Sequence, residues 1–118
     1  MGQRMSKTEN DCMEILYYAS KKNGKWVSLP ELVEQLNIPD STVRNIFECH
    51  ESGIYRRFSY GKNVIKSDFF GKIATKYRYR FKIKKFLNRN NLPVWHIACV
   101  YWGYETLNNI NDNINNNF

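Results

Sequence analysis

The chain has 118 residues, 42% of them hydrophobic and 15% aromatic, and a formal net charge of +7. That length suits one small domain with enough aromatic surface for a core. Its three cysteines, Cys12, Cys49 and Cys99, are too few and too scattered for a disulfide framework. The polar start, residues 1–11, carries no secretory signal pattern. The best apolar run, residues 94–102, is about half of the roughly 20 residues a membrane helix needs. The expectation is a cytoplasmic protein with no membrane partner.

Ser6 and Glu9 have the spacing of a capping box, a hydroxyl and a carboxylate that satisfy opposite ends of a first turn. Met13, Leu16, Tyr17 and Ser20 follow at helical spacing. The first helix is predicted over residues 7–22, ended by Asn23-Gly24. Trp26-Val27 is a short extended piece. Ser28 and Glu31 form a second capping box, with Pro30 tolerated in the first turn. Leu29, Leu32, Val33 and Leu36 make one face of a short helix that ends near Asn37. After Asn37-Ile38-Pro39, a third helix is predicted over residues 40–52. Asp40, Ser41 and Thr42 suit the exposed N–H groups at its start. Val43, Ile46, Phe47 and His50 point inward, and Gly53 stands where a helix commonly stops. Residues 55–60 and 64–66 read as two strands of a hairpin turned at Gly61-Lys62-Asn63.

Charge is not spread evenly. Residues 54–89 hold twelve of the eighteen Lys and Arg residues against one acid, Asp68, a local net of +11. The remainder of the chain is net acidic. Such a block attracts polyanions, of which nucleic acid is the commonest.

Helix, short strand, helix, tight turn, helix, hairpin resembles the layout of a winged helix-turn-helix domain over about residues 8–67. Residues 28–38 look like its first helix and turn. Residues 40–47, running on to 52–55, look like a recognition helix leading into a wing. The resemblance implies an α+β fold, a three-helix core with a β-hairpin wing. It also implies a sequence-specific double-stranded DNA-binding protein, such as a small transcriptional regulator. Ser41, Thr42, Arg44, Asn45 and Glu48 would then face the major groove, where Arg pairs with guanine and Asn with adenine. Arg56, Arg57, Tyr60, Lys62, Asn63 and Lys66 would form the wing on backbone or minor groove. A plasmid or viral replication-initiation or partition protein is an alternative. A winged-helix protein–protein adaptor with an acidic partner is another, from a different class.

Residues 76–84 alternate strictly. As a strand they put Tyr77, Tyr79, Phe81 and Ile83 on one face and Lys76, Arg78, Arg80, Lys82 and Lys84 on the other. That second face is a candidate for phosphate contact. As a helix, the same residues keep a loose stripe from Ile73 to Leu87. Beyond them, Pro93 in a first turn and an apolar run over residues 94–107 predict a terminal helix. Its Trp95, Ile97, Ala98, Tyr101 and Trp102 would form a homodimer interface. The last strand of a sheet is the alternative for residues 93–97. Residues 1–67 thus form the DNA-binding part. Residues 68–107 form the basic stripe and dimerisation element of the same domain, and residues 108–118 an Asn-rich tail.

Catalytic motifs are missing from the sequence. It has no Gly-rich phosphate loop, no nucleophile elbow and no paired-His motif. No cofactor, metal or small-molecule substrate is expected, and no enzyme. His96 with Cys99, and Cys49 with His50, lack the short Cys pairs of structural zinc sites.

Overall fold

A computed structural model describes residues 6–52, 54–56, 64–66 and 68–103, with 54–56 and 64–66 as backbone. The described elements are α1 (Lys7–Ser20), β1 (Val27–Ser28), α2 (Leu29–Leu36), α3 (Asp40–Ser52), β2 (Ile54–Arg56), β3 (Val64–Lys66), α4 (Phe69–Lys76), β4 (Tyr79–Leu87) and β5 (Pro93–Tyr101). The fold is α+β. Its larger sheet is antiparallel with strand order β1-β5-β4, and β2 and β3 form a separate pair.

The first three helices follow their local signals. Ser6 Oγ accepts from the Glu9 N–H at 3.1 Å, and Ser28 Oγ accepts from the Glu31 N–H at 3.4 Å. Each hydroxyl thereby satisfies a donor that the helix start would leave unpaired. α1 stops at Ser20, before the predicted Lys22, and Asn23 and Gly24 then adopt positive φ. α2 ends on Asn37 in the left-handed conformation (φ 55°), whose N–H donates to Val33 O at 3.1 Å. The next residue, Ile38, is buried and pins the turn. Tyr18 Oη donates to Glu31 Oε2 at 2.5 Å, tying α1 to the start of α2.

Each helix buries one stripe: Cys12, Ile15, Leu16 and Ala19 on α1, Leu29 and Leu32 on α2, Val43, Ile46 and Phe47 on α3. α4 adds Phe70, Ile73 and Ala74, and the sheet adds Val27, Tyr79, Trp95, Ile97 and Cys99. α4 starts on Asp68, whose Oδ1 accepts from the Gly71 N–H at 2.8 Å. A Cβ at position 71 would lie 2.1 Å from that carboxylate, so a larger residue there would force the Asp68 side chain to shift. The same Asp68 oxygen lies 2.8 Å from His50 Nδ1, joining the end of α3 to the start of α4. His50 is half-buried rather than a core residue, with its ring 4.9 Å from Phe81 and 6.1 Å from Phe70.

Two expectations need correction. The apolar run after Pro93 is not a helix but strand β5, paired with β1 on one edge and β4 on the other. Its buried residues fall on both faces, Trp95, Ile97 and Cys99 on one and Ala98 and Val100 on the other, so it reads as apolar on nearly every side. Pro93 opens the strand, a position where its missing N–H costs little. The alternating stripe is only partly strand. Residues through Lys76 belong to α4, Tyr77 and Arg78 turn the chain, and β4 begins at Tyr79. Arg78 makes that turn at φ 66°. β2 pairs with β3 from Ile54↔Lys66 to Arg56↔Val64, and residues 57–60 of the predicted hairpin lie outside the described residues. Its Gly61-Lys62-Asn63 turn, Gly53, and the tail at 108–118 lie outside the described residues.

Candidate nucleic-acid interface

α3 carries the first part of the candidate surface. With Val43, Ile46 and Phe47 fixed in the core, helical geometry turns Ser41, Arg44 and Glu48 outward, and all three are exposed. Thr42 and Asn45 are half-buried. The five expected recognition residues therefore share one helix, with three presented fully. Arg44 Nη2 lies 3.2 Å from Asp40 Oδ1, one turn back. Such an exposed pair is worth under about 1 kcal/mol, little against a bidentate contact to a base.

Of the predicted wing, Arg56 lies in β2 and Lys66 in β3, while Arg57, Tyr60, Lys62 and Asn63 fall outside the described residues. Among the described residues, the β2–β3 pair is not hydrogen-bonded to the larger sheet. A second hairpin, β4–β5, is. It runs from Tyr79 to Tyr101 with nine residue pairs in register and carries Arg80, Lys82, Lys84, Lys85 and Arg89 with no acid.

Strand alternation splits those cations between two sides. Phe81 meets His50 on α3, as above. Lys85 is on the same side, 3.7 Å from Glu51 of α3 and 4.3 Å above the Trp95 ring. Arg80, Lys82 and Lys84 point the other way, beside Val100, Ala98 and His96 of β5. They do not share the side of the sheet that α3 packs on. Lys76 is drawn off to Glu9, 3.8 Å away. The five predicted phosphate residues therefore form no single face. Lys85 was missed because it breaks the strict alternation that drew attention to its neighbours. Arg89 was missed because it sits past the stripe's end.

The outer side of the sheet also holds an aromatic group. Trp26 and Phe86 meet edge-on at 5.1 Å, and Phe86 meets His96 at 4.9 Å. Lys84 Nζ stands 6.0 Å over the Trp26 ring. Trp26 precedes β1 and shares this group because Ser28 pairs with His96.

The hairpin tip is built by one side chain. Asn88 Oδ1 accepts from the N–H groups of Asn90 (2.8 Å) and Leu92 (3.0 Å). Asn88 N–H donates to Leu92 O at 2.9 Å, and Asn91 turns at φ 59°. On either side of this loop Leu87 is 67% exposed and Leu92 58% exposed.

The residues expected at a dimer interface lie mostly elsewhere. Trp95, Ile97 and Ala98 are buried within this chain, at 3%, 0% and 0% exposure. A side chain already enclosed by its own fold has no area to give a partner. Tyr101 and Trp102 retain exposure.

Burial pushes the Cys12 thiol up to about 12, with the nearby Asp11 and Glu9 charges adding to it. Burial alone raises that of Cys99. Cys49 is half-buried. On the strand, His96 and Cys99 fall on opposite faces. Because the thiolate is the reactive form, native protein treated with iodoacetamide at pH 7 should take up label at Cys49 alone. Peptide mapping should find Cys12 and Cys99 labelled only after denaturation. Equal labelling of all three in the native state would contradict this packing.

Compared with known protein families, curated proteins and solved structures, the chain matches none.

Proposed function

We propose that the chain is a winged helix-turn-helix protein that binds double-stranded DNA in a sequence-specific way, as a small transcriptional regulator would. In this reading α2 and α3 are the helix-turn-helix and α3 enters the major groove. The wing is the β4–β5 hairpin rather than residues 54–66. β2, β3 and α4 are then an insertion between recognition helix and wing. One observation carries the reading: a helix with outward Ser41, Arg44 and Glu48 stands beside a hairpin holding five cations and no acid.

The physical division of labour follows from charge. α3 itself holds Arg44 as its only Lys or Arg, against Asp40, Glu48 and Glu51. It contributes little to attraction but can read base edges: Arg44 suits guanine, and Glu48 accepts from cytosine N4. The hairpin supplies the phosphate attraction, which carries no sequence information.

Selection from a random duplex library, followed by binding to the enriched site, tests this. Arg44→Ala should cost about 1–3 kcal/mol on that site and relax preference at one base pair. A selection that enriches nothing at 50 mM salt would overturn the proposal. An Arg44→Ala variant with unchanged affinity and preference would overturn the docking of α3. Inverted half-sites about 34–36 Å apart would make the binding unit a dimer, and a single half-site a monomer.

A further inference from the structure

The tip of the β4–β5 hairpin combines features that simple phosphate contact does not need. Two large apolar side chains, Leu87 and Leu92, stand exposed where the arms meet the loop. Burial of such side chains is normally favourable, so exposing both leaves apolar surface in water. Neither is required to hold the loop, because Asn88 does that through its own carboxamide and backbone. Between the leucines lie Asn88, Arg89, Asn90 and Asn91, a run of amides with one guanidinium. The β4 arm carries Arg80, Lys82, Lys84 and Lys85, and neither arm carries an acid.

That charge excludes a basic partner and favours a polyanion. The tip's chemistry narrows the choice. The minor groove is read by Arg and Asn, and proteins that bend DNA there drive apolar wedges between base steps. A lipid-inserting tip would instead need an unbroken apolar end, which four polar residues interrupt. A wedge must also be stiff, since a floppy loop would lose its insertion energy to ordering. The four short hydrogen bonds centred on Asn88 supply that stiffness. Lys85 anchors the arm beside the C-terminal end of α3.

We propose that the β4–β5 tip is a minor-groove wedge, in which Leu87 and Leu92 unstack a base step and kink the duplex while Arg89 and the tip asparagines contact the groove floor. The inference rests on the duplex-binding reading above and adds DNA bending to it. Flexible pyrimidine–purine steps, TA above all, are the easiest to kink, so the tip favours A·T-rich sequence flanking the site read by α3.

The test uses the full chain and a 40-bp duplex with an A·T-rich centre, dye-labelled at both ends for energy transfer. Copies carrying 2-aminopurine beside successive TA steps report unstacking. Wild type should bend the duplex by roughly 20–90° and raise 2-aminopurine fluorescence at one step. Leu87→Ser with Leu92→Ser should lose both signals and keep binding within about tenfold, because the phosphate contacts remain. Both leucines are exposed, so the double variant should fold as wild type does. Leu87→Met with Leu92→Met should retain the bend.

Binding with an unbent duplex would overturn the wedge and leave the duplex reading in place. Equal bending by wild type and the serine double variant would do the same. Absence of duplex binding at 50 mM salt would overturn both. Vesicles of phosphatidylserine and phosphatidylcholine form the counter-test. Vesicle binding that the serine double variant loses, with no duplex bending by wild type, would assign the leucines to a lipid surface and sink the proposal.

Discussion

Phe47→Ala should destabilise the fold by about 3–5 kcal/mol, the usual cost of emptying a buried phenylalanine site. Phe47 is fully buried on the inner face of α3. Its ring lies 6.2 Å from Phe70 of α4 and 6.1 Å from Trp95 of β5, both edge-on. One side chain thus joins the third helix, the fourth helix and the central strand. Edge-on pairs add about 0.5–1.5 kcal/mol beyond area burial, and alanine would forfeit both. Small domains are stable by about 5–15 kcal/mol in all, so the variant should sit close to unfolding at 37 °C. Urea titration followed by circular dichroism should show the midpoint falling by roughly 1–5 M, given slopes of about 1–3 kcal/mol per molar. Phe86→Ala is the matched control. Phe86 is 39% exposed on the outer side of the sheet and should cost less, about 1–2 kcal/mol, largely through its edge-on contacts with Trp26 and His96. Equal costs at the two positions would contradict the placement of α3 against the sheet.

Removing the hairpin's charge should produce the largest effect on binding. In the triple variant Lys84→Ala, Lys85→Ala and Arg89→Ala, each lost phosphate contact should lower the slope of log affinity against log salt by about 0.9. Three contacts amount to roughly 10²–10³-fold in affinity at 0.1 M salt on the same relation. The fold should survive. Lys84 and Lys85 retain 43% or more exposure or lie on the outer strand face, and the Lys85–Glu51 pair is a surface ion pair of little worth. Arg44→Ala should behave in the opposite way, with the salt slope nearly kept and sequence preference lost. A triple variant whose salt slope equals that of wild type would move the grip off this hairpin, to the arms at residues 56–66.

The contrast between these two variants reflects how charge and shape are divided in the chain. α3 offers side chains of mixed polarity on a fixed helix, with Arg44 held by Asp40 and Glu51 by Lys85. The hairpin offers cations and carries no acid of its own. Only the second can release many counterions, and only the first presents a varied pattern of donors and acceptors.

Helix signals were legible in the residues because they are local. Ser6 with Glu9 and Ser28 with Glu31 lie three residues apart, and the cap hydrogen bonds form there. The inward set Val43, Ile46 and Phe47 follows the same short-range rule. The outward set on α3 was legible for the same reason. Position 94 onward was misread because apolarity on all sides suits a buried helix and a central strand alike. Trp95, Ile97 and Ala98 were assigned to a partner chain when the chain's own sheet and helices were what covered them.

By itself, then, the sequence determined the three N-terminal helices, the Ser6 and Ser28 caps, and a cationic second half. Each of those depends on neighbours a few residues away or on composition alone. Tertiary structure decided which hairpin joins the main sheet. Val27 pairs with Ile97, not with the nearer strand at residues 64–66. No local rule selects between two hairpins, because strand partners are chosen by the burial that the whole sheet achieves. The choice follows from β5, whose Trp95, Ile97 and Cys99 cover the helices while β1 and β4 satisfy its backbone on both edges. That choice also set which cations stand beside α3 and left Leu87 and Leu92 exposed at the tip.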